Sequence, residues 1–398
     1  MSDDERELRP ATQVVHAGER MPAPAGAPTA TPVYATTTFT YATMREMDEV
    51  FAGAREGHVY TRHGNPTVDA LEEAVRALEG GRRSVAFASG MAALHGALVA
   101  CELRPGTSVL ASQDLYGATA TLLAEVFAPF GVKTETCDFG DAERLRALAR
   151  ELRPRVLIAE TISNPLLRVC DVEQTAAVAR EAGARLVVDN TFATPLLCRP
   201  LRHGADFVVH SATKFLGGHG DATGGLVVAR EEEDGARLYR AMKLAGGILG
   251  VWEAHEILRG IKTLAVRLEC QCENARLLAE RLAGHERVAR VHYPTLEQRE
   301  LAARVLGGQM GGALVTLELK EATREAAFRF MDALRLCVRS TSLGDVFTGV
   351  LHPATASHRE LAPERRRALG ITDGVVRVSV GLEDIRDIVT DIVRALEA

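Results

Sequence analysis

Lysine is scarce in this 398-residue chain: Lys133, Lys214, Lys243, Lys262 and Lys320 are the only five among 47 basic residues, and the other 42 are arginine. Where charge alone is needed the chain uses arginine, so a lysine in an unusual setting must be explained by its amine. Cysteine is odd in number and scattered. The seven (Cys101, Cys137, Cys170, Cys198, Cys270, Cys272 and Cys337) include no C-x-x-C pair, which argues against a disulfide framework and a zinc site, and no metal is expected. Cys270 and Cys272 sit two apart in a helical pattern and face different directions, so we read them as one core and one surface residue. The formal net charge of -6 and pI near 6.1 give no basic surface for nucleic acid or an anionic membrane, and a small soluble partner is expected. Apolar runs are interrupted well before membrane-spanning length, and the acidic start "MSDDERELRP" has no apolar segment, so a cytoplasmic protein is expected. No repeat recurs at a fixed period. The single tryptophan, Trp252, is expected to pack at a domain junction.

What is present is enough apolar residue, 46%, to fill a core divided between two or more domains. "RMPAPAGAPTATP" (20–32) reads as an extended arm. From about residue 66 helical patterns alternate with short apolar runs: "PTVDALEEAVRALEGG", "SVAFAS", "GMAALHGALVAC", "SVLAS", "RVLIAE", "EQTAAVAREAG", "RLVVDN", "DFVVHS" and "GGLVVA". That alternation predicts an α/β fold with a mostly parallel sheet covered by helices. A long helix is expected over about 250–285, followed by a smaller α+β domain. The acidic run "REEEDG" (230–235) reads as a solvated loop.

In such sheets ligands bind beyond the carboxyl ends of the strands, and four strand ends carry chemistry. "SVAFAS" delivers Ser89, Gly90 and Met91 into a helix start, either a phosphate seat or simply a tight turn. "RLVVDN" delivers Asp189, a carboxylate needing a cation or donors, or else the N-cap of the next helix. "DFVVHSATK" delivers Ser211, Thr213 and Lys214. Guanidinium stays protonated, whereas a desolvated lysine can be drawn toward neutrality and attack a carbonyl, so Lys214 points to Schiff-base chemistry; a surface lysine is the bland alternative. "GVVRVSVGL" places Arg377 in an apolar strand, where a ligand carboxylate or an internal salt bridge would satisfy it. A phosphate seat, two hydroxyls, a carboxylate for a pyridine nitrogen and an imine-forming lysine together describe pyridoxal phosphate (PLP). His210 and His219, flanking the lysine motif, are read as hydrogen-bonded structural residues.

The chain resembles the Cys/Met-metabolism family of PLP enzymes, which includes cystathionine γ-synthase, cystathionine γ-lyase, methionine γ-lyase and the O-acylhomoserine sulfhydrylases. The resemblance runs from about residue 10 to the C-terminus through "YTRHGNPT" (60–67), "FASGMAA" (87–93), "DLYGAT" (114–119), "ETISNPLLRVCDV" (160–172), "VVDNTFATP" (187–195), "HSATKFLGGHGD" (210–221), "RGIKTL" (259–264) and "SLGDVFTGVLHPA" (342–354). It implies the PLP-dependent aminotransferase-like fold (fold type I). Residues 1–64 would be an arm contacting the neighbouring subunit, 65–258 a large PLP-binding domain and 259–398 a small α+β domain. It implies a homotetramer, a dimer of dimers, in which Tyr60 and Arg62 reach the phosphate held by the neighbouring chain. By the same resemblance Gly90 and Met91 offer backbone N–H groups, and Ser211 and Thr213 hydroxyls, to the phosphate. Asn164 bonds the phenolic oxygen, Asp189 the ring nitrogen, and Lys214 carries the cofactor. Tyr116 stacks over the ring and acts as acid or base, and Arg377, helped by Ser342, holds the carboxylate of an amino-acid substrate.

Departures from the family pattern bear on the substrate. Thr121 stands where cystathionine-handling members usually have Arg, and Thr341 where cystathionine γ-lyases commonly have Glu. Without both charged anchors the distal pocket suits a small apolar tail, so methionine γ-lyase chemistry is expected: α,γ-elimination yielding methanethiol, 2-oxobutanoate and ammonia. Ala118, where methionine γ-lyases typically have Cys, departs from that pattern too. The alternatives are cystathionine γ-lyase activity and γ-replacement, as in cystathionine γ-synthase or O-acylhomoserine sulfhydrylase. Two other classes fit less well. A nicotinamide dehydrogenase would need the spaced glycines that "FASGMA" lacks, and an inactive scaffold should have lost Lys214, Asp189 or Tyr116.

Overall fold

The computed structural model describes residues 26–308 and 310–398. Residues 26–32 carry neither helix nor strand; the remainder of the expected arm segment, 20–25, lies outside the described residues. Residues 33–398 form one compact unit.

Seven strands make the large sheet: β1 (Arg83–Phe87), β2 (Ser108–Ser112), β3 (Lys133–Cys137), β4 (Val156–Glu160), β5 (Arg185–Asp189), β6 (Phe207–Ser211) and β7 (Gly225–Ala229). Their order is β1-β7-β6-β5-β4-β2-β3. The β2, β3, β4, β5 and β6 pairings are parallel, while β7 is antiparallel to both β6 and β1. Six strands therefore point one way and only β7 is reversed, so the carboxyl ends of six strands share one edge. Helices cover both faces, which is why the central strands read as unbroken apolar runs. Within β4, Leu157 and Ala159 join one core while Val156 and Ile158 join the core on the opposite face.

The smaller sheet has β8 (Val288–His292), β9 (Leu314–Leu319), β10 (Val338–Arg339), β11 (Gly349–Leu351) and β12 (Val375–Ser379), in the order β10-β11-β12-β9-β8. Its apolar core is closed by the helices Leu264–Leu282 and Ile385–Leu396.

Four expectations need correction. The long helix over 250–285 is two helices, Val251–Ile261 and Leu264–Leu282, because the Lys262 and Thr263 N–H groups bond back only three residues, to the Arg259 and Gly260 carbonyls, and end the first helix. The run 230–235 is not a loop. Its acidic residues fill the first turn of the helix Glu232–Ala245, where the dipole favours them, and Asp234 is buried against Arg185 at 3.0 Å. Trp252 is 62% exposed rather than packed. Strand β3 was not foreseen, because "KTETC" is polar and sits on the sheet edge, where most of its side chains meet water.

Candidate active site

The carboxyl ends of β1, β4, β5 and β6 open into a cavity of about 480 Å³. After β1, the Ser89 hydroxyl caps the helix Gly90–Ala100 by accepting from the Ala92 N–H at 3.1 Å. The Gly90 and Met91 N–H groups line the cavity, and no helical carbonyl can reach them. Gly90 has to be glycine: a Cβ there would fall 2.8 Å from the Ser211 Cβ. Ser211 and Thr213 face the same end of the cavity, and the Thr213 hydroxyl accepts from the Gly224 N–H at 3.0 Å.

Asp189 ends β5 and is not an N-cap, since the next helix, Thr194–Leu197, is preceded by Ala193. Its carboxylate accepts from the Thr191 N–H at 2.9 Å and has no ion-pair partner among the described residues. Burial lifts its pKa, while hydrogen bonds from Thr191 pull the other way. Beside it in register lies Glu160, the end of β4, which accepts the Tyr116 N–H at 2.5 Å and a second N–H from Asn164. Burial, then the neighbouring Asp189 charge, raises the Glu160 pKa well above the usual carboxylate range. Tyr116 precedes the short helix Gly117–Thr121 and turns its ring to the cavity.

Lys214 follows β6, with its Nζ 3.1 Å from the Ser342 hydroxyl. It is not a surface lysine: burial, then the Arg377 charge, draws its amine toward neutrality, against an opposing pull from Asp345. Arg377, in β12, is 2% exposed and hydrogen-bonds only uncharged acceptors, Asn164 Oδ1 at 2.9 Å and the Ser342 carbonyl at 3.3 Å. Among the described residues an internal salt bridge is thus excluded and its Nε has no acceptor. Burial brings its pKa down to about 10, which leaves it charged at neutral pH.

The cavity therefore gathers nine of the twelve residues singled out from sequence, and Ser342 touches it through Lys214. Tyr60 and Arg62 do not line it. Tyr60 is 40% exposed, and Arg62 lies over its ring and donates to the Lys243 carbonyl at 2.7 Å. Glu160 and Thr191 were missed. Glu160 ends an apolar run just as Asp189 does, so the same signal was available; Thr191 joins β5 to β6 by accepting the Ser211 N–H at 2.8 Å, which only tertiary structure reveals.

A model of the Cys/Met metabolism PLP-dependent enzyme family matches residues 11–397. The chain belongs to that family. It is 43% identical to the L-methionine gamma-lyase of Pseudomonas putida over 391 residues, covering 98% of this chain and 97% of that one. It is 39% identical to a cystathionine beta-lyase of Bacillus subtilis over 340 residues, 85% of this chain and 86% of that one. Among solved structures, the cystathionine gamma synthase from Xanthomonas oryzae pv. oryzae, in complex with aminoacrylate and cysteine, superposes with a TM-score of 0.87 at 36% identity over 92% of each chain.

As a member of the Cys/Met metabolism PLP-dependent enzyme family, the chain uses PLP, and its cavity suits that group. A buried carboxylate lacking a cation matches a protonated ring nitrogen, an amine drawn toward neutrality matches an aldehyde, and free N–H groups at a helix start match a phosphate. Glu160 stands behind this arrangement through two main-chain N–H groups. Glu160→Ala would strand both, at about 1–3 kcal/mol each, so we expect kcat/KM to fall at least about tenfold and PLP to bind the stripped protein more weakly. Glu160→Gln, which keeps a side-chain oxygen to accept those N–H groups, should recover most of both in side-by-side kinetics and PLP titration.

Proposed function

We propose that this PLP enzyme is a carbon–sulfur lyase of methionine γ-lyase type, converting methionine and water into methanethiol, 2-oxobutanoate and ammonia. One observation carries the choice of substrate: among the described residues the charged ones lining the cavity are Glu160, Asp189, Lys214 and Arg377, of which the cofactor and the α-carboxylate take the last three while Glu160 is engaged by the Tyr116 and Asn164 N–H groups. The remaining wall includes Thr119, Thr341, Leu343, Ala356 and Ser357, and among the described residues it offers no charge for a distal carboxylate or ammonium. Thr121 does not line the cavity, and its hydroxyl donates to the Gly117 carbonyl of its own helix at 3.1 Å.

Bound PLP supplies a carbonyl carbon for amines and a ring that takes up the electron pair released at Cα. In this reading Gly90, Met91, Ser211 and Thr213 hold its phosphate. Because Asn164 Oδ1 is taken by Arg377, the amide nitrogen is left to donate to the phenolic oxygen. Asp189 holds a proton at the ring nitrogen. Arg377, steadied by the Ser342 carbonyl, binds the substrate carboxylate bidentately and so turns Cα–H toward Lys214. The amine of Lys214, displaced by the substrate's own, would take the proton from Cα, hand it on to the bound cofactor and, as a free amine again, take one from Cβ, while Tyr116 would give a proton to the departing sulfur. Tyr60, exposed, and Arg62, half-buried, both lie outside this cavity, which supports a role in the phosphate seat of a second copy; we read the enzyme as a dimer with shared sites, two of which would make the homotetramer.

Release of 2-oxobutanoate from methionine, cystathionine and homocysteine, measured side by side, tests the reading. Methionine should have the highest kcat/KM. A large preference for cystathionine would overturn it in favour of cystathionine γ-lyase, and methionine inertness with thiol-dependent turnover of an O-acylhomoserine would favour γ-replacement.

A further inference from the structure

Among the buried titratable groups near the cavity, Asp345 has no part in the chemistry described so far. It is 3% exposed, and its Oδ1 has no donor among the described residues. Buried carboxylate oxygens are rarely left so, because the group has given up water without replacement. The loop that carries it is fixed on both sides. Its Gly344, at φ +81°, lies so close to the lysine turn that a Cβ would sit 2.7 Å from Phe215 N. The Gly344 N–H donates to the Ser379 hydroxyl at 2.8 Å, and the Asp345 carbonyl accepts from Gln271 at 2.8 Å.

The charged groups facing this carboxylate are Lys214, His219, Asp221 and Arg267. Arg267 is spent elsewhere: it donates to the carbonyls of Phe215 and Gly260 at 3.0 and 2.8 Å and to the Thr263 hydroxyl at 3.1 Å. His219 turns its Nδ1 to the Gly217 carbonyl at 2.8 Å. That leaves the lysine amine, on a flexible stem, as the donor that can come and go. Burial, then the Arg377 charge, already disfavour an ammonium there, and the Asp345 carboxylate acts the other way.

We propose that Asp345 is a positioning residue for Lys214: its free Oδ1 receives the ammonium that Lys214 becomes each time the amine has taken a proton from the substrate. In that step the Cα–H bond breaks, an N–H bond forms on Lys214 and the electron pair stays with the substrate–cofactor system. Burial raises the Asp345 pKa and the Lys214 charge pulls it back; in this role Asp345 takes no proton from the substrate and contributes a hydrogen bond and a charge.

The inference rests on Lys214 being the reacting amine, and its test separates the two. In the holoenzyme, the visible absorption of the lysine-linked cofactor is titrated against pH for the parent and Asp345→Asn. Loss of the neighbouring anion should lower the midpoint by about one pH unit and slow Cα-hydrogen exchange of methionine in D2O about tenfold. Asp345→Glu should keep the parent midpoint to within about 0.3 unit. Asp345→Ser gives the same reading if the amide variant does not fold. A midpoint that stays put in a variant with the parent's melting temperature overturns the role of Asp345. Absence of any lysine-linked absorption in the parent instead overturns the reading of Lys214.

Discussion

Lys214→Ala should lower 2-oxobutanoate release by at least about 10⁴-fold while leaving the protein folded and able to bind PLP without a covalent link. The size of the loss follows from what the cavity lacks. Its other titratable residues among those described are Tyr116, Glu160, Asp189 and Arg377, none of which can both carry the cofactor and shuttle a proton at Cα. The four remaining lysines do not line it, so no second amine can substitute. Lys214→Arg should be equally inactive, because a guanidinium keeps its proton. Borohydride treatment provides the structural counterpart: the parent should trap PLP on the peptide carrying Lys214, and neither variant should. Retention of a tenth of parental turnover by Lys214→Ala would contradict the assignment.

How far the site was legible follows from how parallel sheets are built. Central strands buried on both faces are uniformly apolar, so the first polar residue after each run marks its carboxyl end, and Ser89, Asp189 and the Ser211–Lys214 cluster stood out for that reason. Glu160 carries the same mark. Thr191 and Asp345 carry none, because their importance lies in what they touch across the fold: the Ser211 N–H for one, the face of the lysine turn for the other. Edge strand β3 hid behind polar residues, and the acidic start of the helix Glu232–Ala245 passed for a loop because charge run and first-turn charge look alike in sequence. Residue type alone also left Arg377 undecided between an internal partner and a ligand. Only the structure shows that no carboxylate among the described residues meets it.

That missing carboxylate sets the second large expectation. A buried guanidinium bonded to a side-chain amide oxygen and a carbonyl still lacks a counter-charge, and the substrate's α-carboxylate is the anion that fits. Arg377→Leu should therefore cost about 2–5 kcal/mol of transition-state binding, a fall in kcat/KM of roughly 30- to 5,000-fold borne mainly by KM. Arg377→Lys should recover little, since a point charge cannot reproduce the bidentate geometry. Stability should move in the other direction or not at all, because the leucine variant removes an uncompensated buried charge rather than half of an ion pair. A melting temperature at or above the parent's, alongside the kinetic loss, would separate substrate binding from a structural role. The same variant also checks the electrostatics around the lysine. The Arg377 charge depresses the Lys214 pKa, so removing it should raise the pH midpoint of the lysine-linked absorption, opposite in sign to Asp345→Asn. If both substitutions shifted that midpoint in the same direction, the two groups could not be acting on Lys214 through their charges.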